Sequence, residues 1–323
     1  MSERPFIIGT RGSALALAQA NAVLHECRSA FPELQFELKI IKTTGDKLQT
    51  ASMAQGNLPK GLFTKELEVA LLSGDADIAV HSLKDLPTEL PQGLKLGAVG
   101  RREDVRDVLV YRDAAQFNDS EGRRGFGPAL PVADFPKGAT IATSSTRRKA
   151  QLLAVRPDLN IIEIRGNVST RVQKLAEQPG MDGTILARAG LKRLNFEITD
   201  EGRLEGAAVP DGLFATLLDV ETMLPCVGQA AVGIEIREHD DRVETVCAGL
   251  NHDATLQCVT AERSFLSAMG GGCQSPVGAY AEIVGDQLRL RAVSFISGCR
   301  RAESMRPLRE AVELGAEMAQ RLR

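Results

Sequence analysis

The sequence predicts an α/β fold with a smaller α+β unit at its C-terminal end. Three observations carry this. Short apolar runs alternate with helical patterns through the first half, and the same alternation restarts near residue 139. Beyond about residue 249 the pattern changes to a helix, a glycine run and a hairpin. Alternating strands and helices imply βαβ crossovers and a largely parallel sheet. A length of 323 residues suggests about two domains, with three smaller ones possible.

The elements follow in order. Phe6-Ile7-Ile8 reads as a strand, and Ser13 can cap a helix that carries Leu15, Ala18 and Ala22 on one face. Phe36 to Ile41 is a second strand, Phe63 to Leu72 a helix, and Ile78-Ala79-Val80 a third strand. In the second block Thr140 to Thr143 is a strand, Ser145 to Val155 a helix and Ile161 to Ile164 a strand. Val168 to Glu177 is then a helix and Thr184 to Ala187 a strand. Arg112 to Lys137, rich in Gly, Pro, Asp and Arg, reads as a long surface excursion between the blocks. Thr199 to Asp211 is irregular and precedes a return strand at Ala231 to Ile236. The last unit has a helix capped by Asp253 and strands Val277 to Val284 and Leu288 to Phe295, turned at Gly285-Asp286. A closing helix starts at about Arg306.

Composition excludes several classes. Apolar residues make up 43% and charged residues 25%, the balance of a globular protein with a sizeable core. Thirty-nine Lys+Arg against 42 Asp+Glu leave a formal charge of −3, so no basic field draws the chain onto nucleic acid. Two Tyr, no Trp and 11 Phe leave few rings for stacking bases. The N-terminus has no signal-peptide pattern, and no apolar run approaches the ~20 residues of a membrane helix. Cys27, Cys226, Cys247, Cys258, Cys273 and Cys299 form no Cys-x-x-Cys pair, which argues for reduced thiols in a cytoplasmic setting.

Three strand ends are ready for anions: Gly9-Thr10-Arg11-Gly12-Ser13, Thr143-Ser144-Ser145-Thr146-Arg147-Arg148 and Arg165-Gly166-Asn167-Val168-Ser169-Thr170-Arg171. Each hands a strand to a helix, whose free N–H groups and nearby arginines suit carboxylate or phosphate. One such segment is ordinary capping; three in one chain imply a ligand with several negative charges. Neither the dinucleotide fingerprint nor a Gly-Lys-Ser/Thr phosphate loop is present, and arginine favours planar carboxylates. Lys84 and Asp85 follow a buried strand, where Asp85 could stabilise a positive charge developing on a substrate; a plain surface ion pair is the alternative. His81 reads as a satisfied core or rim histidine. The dispersed histidines support neither a metal site nor a triad. Met269-Gly270-Gly271-Gly272-Cys273-Gln274 sets a cysteine on a tight loop, a setting for a nucleophile or an attachment point. With no paired base visible, spacing alone leaves these and a structural cysteine open.

Taken together and in this order, the motifs identify a family. The chain closely resembles porphobilinogen deaminases (hydroxymethylbilane synthases) over nearly its whole length: Ile8 to Ser13 with Gln19, Lys42 to Asp46, Lys60 to Phe63 with Lys65-Glu66, and His81 to Pro87. Thr143 to Arg148, Arg165 to Arg171, Leu186 to Leu194, Pro225 to Glu235 and Gly271 to Gln274 continue the match. The resemblance implies an α/β fold of three domains, with two periplasmic-binding-protein-like lobes around a cleft and a small α+β C-terminal domain. Residues 1–104 and 230–248 would form the first lobe and 105–229 the second, with long excursions near 112–137 and 199–221. Residues 249–323 would form the third domain. It implies a dipyrromethane cofactor held by a thioether to Cys273. Four porphobilinogens are then added head to tail, each losing ammonia, before hydrolysis releases linear hydroxymethylbilane for porphyrin and heme biosynthesis.

Asp85, Lys84 and Arg11 match catalytic positions. Ser13, Gln19, Lys60, Ser82, Thr143, Ser144, Ser145, Arg147, Arg148, Arg165, Gly166, Asn167, Arg171, Arg193 and Gln229 match cofactor- or substrate-binding ones. Gly45 to Lys60 corresponds to a mobile loop over the cleft. No metal, nucleic acid or membrane is implied; the resemblance favours a cytoplasmic monomer that hands its product to the next tetrapyrrole enzyme. Four departures stand out. Thr146 replaces a usual leucine, Ala230 stands where a Gly-Gln-Gly run has its second glycine, Arg188 replaces a small or apolar residue, and the two excursions are long.

Overall fold

The computed structural model describes residues 4–43, 64–117, 122–272 and 274–323. Its first lobe is built on β1 (Phe6–Thr10), α1 (Ala14–Ala30), β2 (Phe36–Ile40), α2 (Lys65–Ser73), β3 (Ile78–Ser82) and β4 (Leu94–Val99). The second has β5 (Asp107–Arg112), β6 (Thr140–Ala142), α3 (Thr146–Val155), β7 (Asn160–Ile162), α4 (Val168–Glu177), β8 (Gly183–Ala187) and α5 (Arg188–Arg193). A short ribbon, β9 (Glu197–Ile198) and β10 (Leu204–Glu205), leads to β11 (Leu213–Leu217). The chain then returns through β12 (Val232–Arg237) and α6 (Asp241–Leu250). It ends in α7 (Asp253–Ala268), β13 (Val277–Val284), β14 (Gln287–Ser294), β15 (Arg300–Pro307) and α8 (Ala311–Leu322).

The two five-stranded sheets share one plan. The first has the order β2-β1-β3-β12-β4 and the second β7-β6-β8-β5-β11. In each, two parallel neighbours are followed by two antiparallel pairings. The fourth strand of each sheet, β12 or β5, is the one that has just crossed from the other lobe. This is the two-lobed arrangement expected, and it puts parallel strand ends of both sheets at one cleft, where open α/β sheets bind ligands.

Helices cover both faces. Phe6, Ile8, Val23, Cys27 and Val246 fill the side of the first sheet under α1 and α6, while Leu67 and Leu71 of α2 pack on the other. Val172 and Leu175 of α4, with Leu191, cover one side of the second sheet, and Leu152 of α3 the other. The third sheet, β13-β14-β15, packs on α7 and α8 through Phe265, Leu288, Leu290 and Leu314. No helix among the described residues is long and apolar enough to cross a membrane.

Several expectations need correction. Arg112 to Lys137 is not a surface excursion throughout: Arg112 ends β5 with its side chain buried, and Val132 and Phe135 join the core around Tyr111. The long excursion at 199–221 is likewise not surface chain throughout, since β11 pairs in register with β5, and the stretch read as irregular, Thr199 to Asp211, contains β10. Asp253 opens α7, but the cap is His252, whose Nδ1 accepts from the Thr255 N–H at 3.2 Å. The closing helix starts at Ala311, and Arg306 lies in β15, an edge strand of the third sheet. Strands β4 and β5 and helix α6 were not anticipated.

Candidate active site

The turn after β3 organises the cleft. Leu83–Asp85 forms a single 3-10 turn, closed by the Leu86 N–H on the Leu83 carbonyl at 3.1 Å. Leu83 is buried and its N–H donates to Ala231 at 3.0 Å. The fit is close: a β-carbon on Gly233 would come within 2.8 Å of the Leu83 side chain. With the apolar residue of the turn locked inward, Lys84 and Asp85 face the cleft on either side of it.

Two adjoining hollows share Leu15 and Ser82. One is lined by Lys84 from the first lobe and Arg148, Arg171 and Arg193 from the second, with no acidic side chain in its wall among the described residues. The other is lined by Arg11, Ser13, Gln19, Ser82 and Asp85, with His81 behind them. Gln19 and Ser82 are hydrogen-bonded to each other at 3.0 Å. Ser13 caps α1, accepting from the Ala16 N–H at 3.3 Å.

Desolvation strains the cationic wall. Burial, with repulsion from Arg148, pushes the Lys84 ammonium below its ordinary value, although Asp85 pulls it back. Burial and Arg148 likewise lower the Arg171 guanidinium to about 10, and burial lowers Arg193. Among the described residues, Arg171 and Arg193 hydrogen-bond only to carbonyls, of Gly166 at 2.9 Å and Ala230 at 2.6 Å. A wall of partly dehydrated cations is stabilised by ligand carboxylates.

Asp107, at the start of β5, was not among the anticipated residues, and it sets the geometry of this wall. Its fully buried carboxylate accepts from Arg147 Nη2 at 2.8 Å, Arg148 Nη2 at 2.7 Å and Gln229 Nε2 at 2.9 Å. Burial opposes its charge, yet Arg147 and then Arg148 hold the carboxyl well below the usual range. Arg147 also donates to the Leu224 carbonyl at 2.6 Å and is buried away from both hollows, as is Gln229.

The remaining anticipated residues shape backbone around the cleft. Ser144 Oγ donates to the Ile164 carbonyl at 2.8 Å, Thr143 Oγ1 accepts from the Ser145 N–H at 3.2 Å, and Ser145 caps α3. Asn167 caps α4 through the Thr170 N–H at 2.9 Å. Gly166 has φ +116°, and a β-carbon there would meet Thr170 at 2.6 Å, so only glycine makes this turn. Arg165 is exposed beside Glu163. His81 is buried with Nε2 2.9 Å from Glu235 Oε2, the satisfied core histidine expected. Lys60, Cys273 and the segment Gly45 to Lys60 lie outside the described residues. Of the other cysteines, burial pushes Cys27 and Cys247 up to about 12 and Cys258 to about 11, and raises Cys226. Such thiols stay protonated and inert at neutral pH.

Comparison with known proteins agrees with this geometry. Residues 6–245 match the family model "Porphobilinogen deaminase, dipyromethane cofactor binding domain", and residues 256–323 match "Porphobilinogen deaminase, C-terminal domain". The chain is 42% identical to the porphobilinogen deaminase of Geotalea uraniireducens, over 100% of this chain and 92% of that one. It is also 42% identical to that of Thermus thermophilus, over 98% and 94%. The chain therefore belongs to the porphobilinogen deaminase family, transferases of tetrapyrrole biosynthesis that carry a dipyrromethane cofactor and condense porphobilinogen head to tail onto it with loss of ammonia.

Proposed function

We propose that Asp85 is the catalytic carboxylate of this cleft, that the cationic wall grips acetate and propionate groups, and that Cys273 carries the cofactor through a thioether. The observation that carries the reading is the pairing, among the described residues, of a four-cation wall free of acids with a single aspartate one turn past β3. Each pyrrole bears two carboxylates and one N–H. That donor and acceptor set fits a cofactor of two such rings: Arg148, Arg171, Arg193 and Lys84 would hold its acids and Asp85 its N–H groups. When bound, the dipyrromethane supplies the nucleophilic pyrrole carbon on which the chain grows.

The protein's own groups do the rest. Loss of ammonia from porphobilinogen leaves a positive charge shared with the pyrrole nitrogen, and the Asp85 carboxylate, fixed by the locked turn, stabilises it. Arg11 and Lys84 flank Asp85 and hold the incoming substrate by its carboxylates, with Ser13, Gln19, Ser82 and Lys60 completing that side. Arg147, Gln229, Thr143, Ser144, Ser145, Gly166 and Asn167 position the arginine-bearing helix ends, and Arg165 meets the ligand from the exposed rim. The domains are taken as 1–104 with 230–248, 105–229 and 249–323.

Replacing Asp85 by Asn tests the central role. The variant should fold and attach its pyrroles, yet lose each elongation step by about 100-fold or more, read as mass added per porphobilinogen in a single turnover. Near-normal elongation would remove Asp85 from the mechanism.

A further inference from the structure

We infer that Thr146 is a positioning residue for the loop that bears Cys273: its hydroxyl, hydrogen-bonded to the Gln274 carbonyl, ties that loop to the helix end that presents Arg148. The inference rests on the reading of Cys273 as the attachment point. Thr146 is the first residue of α3, and its Oγ1 donates to the Gln274 carbonyl at 2.6 Å across the boundary between the second lobe and the third sheet unit. A leucine at this position would have no donor to offer. This chain therefore fixes the loop in a way that leucine could not.

The tether has one rigid end. Ser145 caps α3, and the two residues after Thr146, Arg147 and Arg148, are both clamped on buried Asp107. The loop end needs such a hold. After α7 the chain runs through Gly270, at φ +66°, Gly271 and Gly272, which have no side chains to anchor. Within its own domain it is held on each side of residue 273, by the Gly271 N–H on Leu266 at 3.2 Å and by mutual bonds between Gly272 and Ser275 at 3.1 and 2.9 Å. Among the described residues, Thr146 provides the one side-chain hydrogen bond from the second lobe into this loop. It sets the loop against the same helix whose Arg148 would receive cofactor carboxylates.

Cofactor loading reads this directly. When full-length chain made without porphobilinogen meets hydroxymethylbilane, the Cys273 sulfur bonds to the terminal methylene. The hydroxyl leaves with the thiol proton as water. Loading is followed by intact mass, and exposure of the free thiol by its rate of alkylation with iodoacetamide. Thr146→Val should load about fivefold more slowly, the effect of one net hydrogen bond, and alkylate faster at Cys273, while Thr146→Ser restores both rates. Thr146→Ala serves as a second hydroxyl-free variant, and far-UV circular dichroism identifies any that fails to fold. Loading by folded Thr146→Val or Thr146→Ala at the wild-type rate, or Thr146→Ser no faster than they are, would overturn the tether. A wild-type chain that takes up no pyrrole, or a Cys273→Ser chain that takes it up equally well, would instead overturn the attachment reading beneath it.

Discussion

Asp107 lies fully buried between Arg147 and Arg148, at 2.8 and 2.7 Å, so two guanidiniums share one carboxylate and positive charge is left over for a ligand. Its partners are 40 and 41 residues away, and an acid opening an apolar strand looks in the sequence like an ordinary strand boundary. That is why the arginines were legible as anion binders and their anchor was not. Ala230 is the opposite case: a departure legible in the sequence has a visible physical cost. It sits at φ +72°, a left-handed conformation that disfavours a β-carbon, while Arg193 and the Glu103 N–H hold its carbonyl. Ala230→Gly should relieve about 1–2 kcal/mol of strain against a smaller entropic loss, raising unfolding free energy by roughly 0.5–1 kcal/mol in urea titration. A decrease would contradict that reading.

Lys84 carries a prediction in pH. Burial lowers it from its ordinary 10.5, so the folded enzyme gives up this proton before the unfolded chain does. As pH rises through the lowered value, the ammonium proposed to grip substrate is lost, while folding stability increases over the same interval. Lys84→Arg keeps its charge throughout. Its profile of kcat/KM against pH should therefore hold further into the alkaline range than the wild type, and an unchanged alkaline limb would show that Lys84 does not set it.

At the scale of elements, the junction of lobes and third domain is one polar knot. Arg102, on the crossing from β4 to β5, donates through Nε to the Gln229 carbonyl on the return crossing at 2.9 Å. It also forms a two-pronged pair with Glu262 of α7 at 2.6 and 3.0 Å. Glu262 is fully buried and also accepts from the Gly228 and Ala281 N–H groups, both at 2.8 Å. Removing one partner of a buried pair leaves the other uncompensated. Glu262→Gln should lower the unfolding free energy by about 3 kcal/mol in denaturant melts; a loss below roughly 1 kcal/mol would mean that the knot is not what joins these parts.

Most elements of the lobes were legible because their apolar runs and caps agree, as at Ser13, Ser145 and Asn167. β15 was not, since its half-buried face at a sheet edge is made of Ala302, Ser304 and Arg306, which are small or polar and leave no apolar alternation in the sequence. The Arg112 to Lys137 stretch was misread for a related reason. Its Gly and Pro content signals irregular backbone correctly, but irregular backbone can still bury Val132 and Phe135.

Across the whole molecule, two sheets with the same strand plan, joined by two crossings of the chain, meet at strand ends that carry cations on one side and Asp85 beside them. A polymerising enzyme needs this breadth, because each added pyrrole brings two more carboxylates. The most direct measurement is the intact mass of the denatured protein before and after porphobilinogen is added. A stable excess of two pyrrole units, mapped to Cys273 and rising by single units with substrate, is the predicted result. A bare polypeptide mass that neither porphobilinogen nor hydroxymethylbilane can change would contradict covalent priming in this chain.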